Sequence, residues 1–189
     1  MNKFIKKFLI LLFILTNNAN TEEINMDNIL VLTTNTGIIR IELFEDKAPN
    51  HVKRIKQLAN EGQYDGVVFH RVIDGFMAQT GDVEFGNSLS KKYNLSKAGS
   101  GGSTLPDLKA EFSDLPHERG TLSMARSQDP NSANSQFFIC FKEASFLDRQ
   151  YTVFGKVISG MEFVDKIKKG DPDNNGAVSD PDKIVSLKY

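Results

Sequence analysis

The sequence predicts an all-antiparallel β domain, a barrel or sandwich with helices over its open ends. Three observations predict it. About eight short apolar runs of strand length lie between residues 29 and 188, bounded by Gly, Pro, Asn and Asp. Only two stretches carry helical spacing. Strands and helices do not alternate, which argues against a parallel sheet built from βαβ units. No repeat or linker divides the 189 residues, a length that suits one domain with a substantial core.

The N-terminus reads as a separate object. Met1–Lys7 is basic, Phe8–Leu15 is an unbroken apolar run, and Thr16–Thr21 is polar and small. That order predicts a secretory signal peptide over about residues 1–22. The run is too short for a comfortable membrane span, so an uncleaved anchor is the lesser alternative. The domain is then expected over 27–189, in the periplasm, with no stable membrane insertion after cleavage.

Ile29–Thr34 and Ile38–Phe44 read as strands joined by a turn at Asn35-Thr36-Gly37. Pro49 opens a helical pattern carried by Val52, Ile55, Leu58 and Ala59, and Gly62 stops it. A hairpin follows over 67–82. Residues 84–110 are polar and glycine-rich, ending in Gly99-Ser100-Gly101-Gly102-Ser103, and predict a long surface loop. Strand-like runs return at 120–125, 135–140 and 152–157. Met161, Val164 and Ile167 predict a second helix over 160–169, its closing lysines suited to the C-terminal dipole. Ile184–Leu187 closes the chain as a strand.

Composition removes several function classes. The apolar fraction is 40%, the charged fraction 25% and the net charge −1, so there is no basic footprint for nucleic acid. The single cysteine, Cys140, lies in an apolar run and reads as an inert core residue. Asp171, Asp173, Asn175 and Gly176 match the first half of a calcium-binding EF-hand loop. The twelfth position is Asp182 rather than Glu, and Pro181 precedes it. A surface loop is the better reading. Gly99–Thr104 lacks the lysine of a phosphate loop. His51, His70 and His117 have no zinc-ligand spacing; His51 reads as a helix surface residue and His117 as a loop residue. No metal or cofactor is expected.

The hairpin holds the chemistry. It places an arginine among apolar strand residues, and a guanidinium cannot shed its charge. A two-residue turn at Asp74-Gly75 would set His70 opposite Gln79. A three-residue turn, Asp74-Gly75-Phe76, would set Arg71 opposite Gln79 and Ile73 opposite Met77. The second register gathers Arg71, Ile73, Met77 and Gln79 on one face, where Gln79 can hold the guanidinium. Spacing alone leaves two roles for Arg71: gripping a carbonyl beside an apolar pocket, or snorkelling to solvent.

Phe69–Asp82, Gly99–Gly102, Arg119–Ala125, Asn134–Ile139, Leu147-Asp148, Val153–Val157 and Gly160-Met161 together resemble, in order, the motifs of the cyclophilin peptidyl-prolyl cis-trans isomerases. The resemblance covers about residues 29–188. It implies a closed eight-stranded antiparallel β-barrel capped by two α-helices. It implies an isomerase of X–Pro bonds that acts on proline-containing unfolded or flexible polypeptides without a cofactor. By motif, Arg71 corresponds to the catalytic arginine and Gln79 to its support. Phe76, Met77, Phe138 and Leu147 correspond to the proline pocket, Ala125 and Gln136 to the groove, and His70 to a histidine beside the arginine.

Three positions depart from many eukaryotic members: Phe146 for a tryptophan, Tyr151 for a histidine, and Arg126 for an asparagine. All three resemble bacterial members and predict weak cyclosporin binding. A monomer is expected. The alternative class is a proline-segment binding module or holdase with little catalysis.

Overall fold

Why a strand buries one or both faces explains where the site sits. The computed structural model describes residues 28–189, and the signal-like run at 1–22 lies outside the described residues. Eight strands follow in order: β1 (Ile29–Thr34), β2 (Ile38–Leu43), β3 (Arg71–Ile73), β4 (Met77–Thr80), β5 (Thr121–Met124), β6 (Phe137–Cys140), β7 (Val153–Ser159) and β8 (Ile184–Lys188). They form one sheet in the order β3-β4-β6-β5-β7-β2-β1-β8, every pairing antiparallel.

Side chains alternate across a strand. In β6, Phe137 and Ile139 enter the main core, while Phe138 and Cys140 enter a second, smaller apolar cluster on the opposite face. Both faces are covered, so all four β6 residues are buried. β3 and β4 divide likewise. Val72 and Ala78 point into the main core, and Met77 joins the second cluster with Ile73 packed on it. Cys140 belongs to that cluster, where burial pushes its thiol up to about 12. The buried phenylalanines each contribute roughly 1.5–3 kcal/mol by leaving water. Phe137 also meets Tyr64 and Phe154 edge-on, at 5.8 and 5.9 Å between centroids.

Helix α1 (Pro49–Asn60) packs Val52, Ile55, Leu58 and Ala59 against the core. Its N-cap, Ala48, offers no side-chain cap. Glu111, far along the chain, supplies it: its carboxylate accepts the backbone N–H groups of Asn50 and His51, both at 3.1 Å. His51 is therefore not a surface residue. It is buried, with Nδ1 2.6 Å from Glu111 Oε2. Helix α2 (Met161–Val164) is a single turn rather than the longer helix expected to 169. The chain leaves the helical path because Gly170 N–H donates to Val72 O at 2.8 Å, drawing this segment onto the free edge of β3.

That edge also corrects the expected closed barrel. The sheet curls but remains open between β3 and β8. The start of β8 pairs with the segment before β3, where Ile184 N–H donates to Val67 O at 2.8 Å and Phe69 N–H to Asp182 O at 2.9 Å. β3 itself pairs with the 170–178 loop: Val72 N–H donates to Gly176 O at 2.8 Å and Val178 N–H to His70 O at 3.1 Å. Three residues of strand give too short an edge for a full ladder, and the loop satisfies its backbone instead.

Candidate active site

The hairpin turns through three residues. Phe76 N–H donates to Ile73 O at 3.0 Å, Gly75 has φ +68°, and Arg71 lies opposite Gln79 with Ile73 opposite Met77. Register then continues across the sheet. Gln79 pairs with Phe138, and Phe138 with Ser123. One row on the outer face thus carries Arg71, Gln79, Phe138 and Ser123, over the second apolar cluster.

A cavity of about 280 Å³ opens on this row. Phe138, Met77 and Leu147 are buried in its floor and wall, and Phe76 and Tyr151 pack against them. Phe138 meets Tyr151 edge-on at 6.1 Å, and Phe76 meets Phe146 at 5.5 Å. Phe146 stands 65% exposed at the rim. Arg126 lies over the Tyr151 ring at 4.3 Å and donates to Gln150 O at 2.9 Å, so its charge caps the rim without entering the apolar space. Drug-sized ligands occupy pockets of roughly 300–1,000 Å³. This cavity falls just below that range and admits an apolar side chain.

Arg71 lines the cavity from its polar side. Nη1 donates to Gln79 Oε1 at 3.1 Å; Gln79 Nε2 donates to Gln136 Oε1 at 3.1 Å; Gln136 Nε2 donates to Gly101 O at 2.7 Å. The glycine loop is held in turn by buried Asp82, whose carboxylate accepts N–H groups of Gly99 and Gly101 at 2.7 and 2.9 Å. Partial burial lowers Arg71 from the ordinary guanidinium value by desolvation, with Tyr151 opposing. It remains a cation at any physiological pH.

Ten of the twelve residues anticipated from the sequence line this cavity: Arg71, Phe76, Met77, Gln79, Ala125, Arg126, Phe138, Phe146, Leu147 and Tyr151. The other two lie beside it. Gln136 lines an adjoining groove of about 410 Å³ that shares Gln79, Ala125 and Arg126 with the cavity. His70 lies along a neighbouring cleft with Lys97 and Gly99, which shares Arg71 and Gln79 with the cavity. Among the described residues, neither of its ring nitrogens reaches a partner at hydrogen-bonding geometry. Burial pushes its imidazole down to about 4, opposed by Asp82 and the Val68 carbonyl.

Two features escaped the sequence reading. Asn175 faces Arg71: its backbone O accepts from Nε at 3.1 Å and its Oδ1 from Nη2 at 3.0 Å. The sequence predicts a surface loop here, but nothing in its spacing says that the loop docks on β3. His117 lies on a loop, as expected, but is buried beneath the cavity floor. It stacks on Phe138 at 6.2 Å and bridges Asp148 at 2.9 Å and Ser123 at 3.0 Å. Hydrogen bonds from His117 hold the Asp148 carboxyl below its ordinary value. This is Ser-His-Asp connectivity, yet Ser123 is fully buried and its hydroxyl donates to Thr152 O at 3.0 Å. No substrate reaches it, so the trio buttresses Phe138.

Residues 29–189 match the family described as cyclophilin type peptidyl-prolyl cis-trans isomerase. The chain belongs to that family. A probable peptidyl-prolyl cis-trans isomerase of Brucella suis is 59% identical over 159 residues, covering 84% of this chain and 81% of that protein. Peptidyl-prolyl cis-trans isomerase A of Dickeya dadantii is 39% identical over 166 residues, with 84% and 81% covered. Among solved structures, a cyclophilin-type isomerase of Cryptosporidium parvum, crystallised in the presence of the dipeptide Ala-Pro, is similar at 29% identity and TM-score 0.72. It covers 85% of this chain and 98% of its own. A cyclophilin from Hirschia baltica is similar at 28% identity and TM-score 0.70, covering 85% and 73%. A cyclophilin-type domain therefore accounts for the eight-stranded antiparallel sheet, the two helices and the outer-face cavity together.

Proposed function

We infer that this chain is a peptidyl-prolyl cis-trans isomerase, speeding rotation of X–Pro bonds in flexible polypeptides by non-covalent means. The observation that carries it is the row in which a guanidinium, held by Gln79, stands beside an apolar cavity of side-chain size. The similarity to an isomerase crystallised with Ala-Pro supports the same reading.

The chemistry follows from the bond. Resonance raises the rotational barrier of a peptide bond to about 18–20 kcal/mol. Only X–Pro bonds populate cis appreciably, and they exchange over roughly tens of seconds. In the twisted state, resonance is lost and lone-pair density settles on the prolyl nitrogen. Phe138, Met77 and Leu147 bury the ring and exclude water. Arg71 then offers a donor to that nitrogen, or to the carbonyl that orients it, with no proton transfer. A thousandfold acceleration needs about 4 kcal/mol. A charge-assisted hydrogen bond contributes about 1.5–3 kcal/mol, and orientation in a water-poor site supplies the rest.

Residues 1–22 support export: basic, then apolar, then small and polar. On this reading the isomerase works in the periplasm on envelope proteins. Cell fractionation with N-terminal sequencing tests it, and an intact N-terminus on protein confined to the cytoplasm would refute it.

The test of activity pairs two assays on purified wild type and Arg71→Ala: refolding limited by a prolyl bond, and suppression of aggregation. The variant is expected to lose the acceleration while staying folded. Equal acceleration by both would assign the cavity to a binding module or holdase instead.

A further inference from the structure

We propose that Asn175 is a positioning residue that locks the plane of the Arg71 guanidinium and leaves it one hydrogen for the substrate. The proposal rests on Arg71 being the donor. A guanidinium carries five N–H groups. Nε–H donates to Asn175 O at 3.1 Å, Nη2 to Asn175 Oδ1 at 3.0 Å, and Nη1 to Gln79 Oε1 at 3.1 Å with Met77 Sδ at 3.9 Å. Those contacts occupy four hydrogens, leaving one on Nη2 without a partner among the described residues. One residue therefore accepts from Nε and Nη2 along one edge, while Gln79 holds Nη1 at the other. A plane held on two edges cannot turn about its long axis.

The loop is built to present both oxygens of Asn175. Asn175 has φ +50°, a left-handed conformation that asparagine tolerates better than other side chains. The Asp171 carboxylate accepts Asp173 N–H at 2.9 Å, and Gly176 N–H donates to Asp171 O at 2.8 Å, fixing the turn from within. Gly176 fastens the turn to β3 through Val72 at 2.8 Å, and a Cβ there would meet Ile73 Cγ1 at 2.5 Å. The acidic residues that resemble a calcium loop in the sequence thus shape the turn that offers Asn175 to the arginine.

Two substitutions separate side chain from backbone. Asn175→Gly keeps the left-handed backbone and the backbone acceptor but removes Oδ1. Asn175→Asp keeps an acceptor in place. Asn175→Gly is expected to lower kcat about tenfold, the loss of one hydrogen bond to a charged group, with KM and melting temperature near wild type. Asn175→Asp should stay within about threefold of wild type. Nitrogen-15 NMR reads the clamp without turnover: wild type should show separate Arg71 Nη1 and Nη2 signals, averaged by faster rotation in Asn175→Gly. Separate signals in Asn175→Gly, wild-type kcat in that variant, or an Asn175→Asp as impaired as Asn175→Gly would each overturn the proposal. Arg71→Lys, measured in parallel, distinguishes the failures. Wild-type turnover by Arg71→Lys would overturn the isomerase role of the arginine itself, and with it this role for Asn175. An inactive Arg71→Lys beside a fully active Asn175→Gly would overturn only the clamp.

Discussion

The apolar half of the site and its polar half are held by different means. Met77 and Phe138 sit on paired strands, in a cluster closed by Leu147, with His117 stacked beneath. Arg71 also sits on a strand, but its orientation comes from Gln79 and from Asn175 on a loop about a hundred residues away in sequence. Gln79 in turn depends on Gln136 and the glycine loop. Dispersion and burial are non-directional and tolerate small shifts, whereas a hydrogen-bonded cation loses its aim with modest displacement. The apolar half should therefore set how tightly a prolyl segment binds, and the polar half how fast its bond turns.

Breaking the apolar half carries the largest effect. Phe138→Ala removes a buried ring touched from both sides and should cost about 3–5 kcal/mol of stability. KM should rise more steeply than kcat falls, read from steady-state kinetics and urea unfolding. A variant with unchanged KM would undo the division of labour.

Acid should act on the polar half next. His70 titrates at about 4 in the folded chain and at about 6.5 unfolded, so the unfolded chain takes up the proton first. The stability it contributes above pH 6.5 is lost as pH falls toward 4, amounting to roughly 3 kcal/mol. Burial lowers His51 too, adding loss in the same direction. Denaturation midpoints from pH 7 to 4 should fall, and His70→Gln should remove about one proton from the slope. Identical slopes would show that His70 is not the sensor.

Gln79→Ala should lower kcat about tenfold and leave KM nearly unchanged, the reverse of the Phe138 pattern. A rise confined to KM would place Gln79 with the binding residues. The smallest change concerns the rim. Phe146 is exposed and lacks an indole N–H donor, so cyclosporin should bind weakly, and Phe146→Trp should tighten it severalfold by calorimetry. Tight binding by the wild type would show that the rim ring is not the determinant.

What the sequence made legible follows the same division. Alternation in Phe137–Cys140 and the three-residue turn at 74–76 are local, so the shared face of Arg71, Met77 and Gln79 could be read directly. The pocket walls at 125–126 and 146–151 required the resemblance, because nothing local joins them to the hairpin. Asn175 and His117 stayed hidden for a related reason. A turn signal such as Asn-Gly states a backbone shape and not what the turn docks against, and a lone histidine states nothing about burial. The barrel stays open where the sequence predicts closure because a three-residue β3 satisfies its outer edge with a loop. The second helix stops short of the periodicity in its sequence because Gly170 is recruited to that same edge.

The most direct test of the account is the catalysed cis–trans exchange rate of an X–Pro peptide, measured without protease by NMR exchange spectroscopy for wild type and Arg71→Lys. A lysine keeps the charge but loses the planar fork that Gln79 and Asn175 hold. Wild type should accelerate exchange about a thousandfold, near 4 kcal/mol, and folded Arg71→Lys should fall at least about a hundredfold below it. An Arg71→Lys variant turning the bond over at close to the wild-type rate would contradict the claim that the positioned guanidinium drives the reaction.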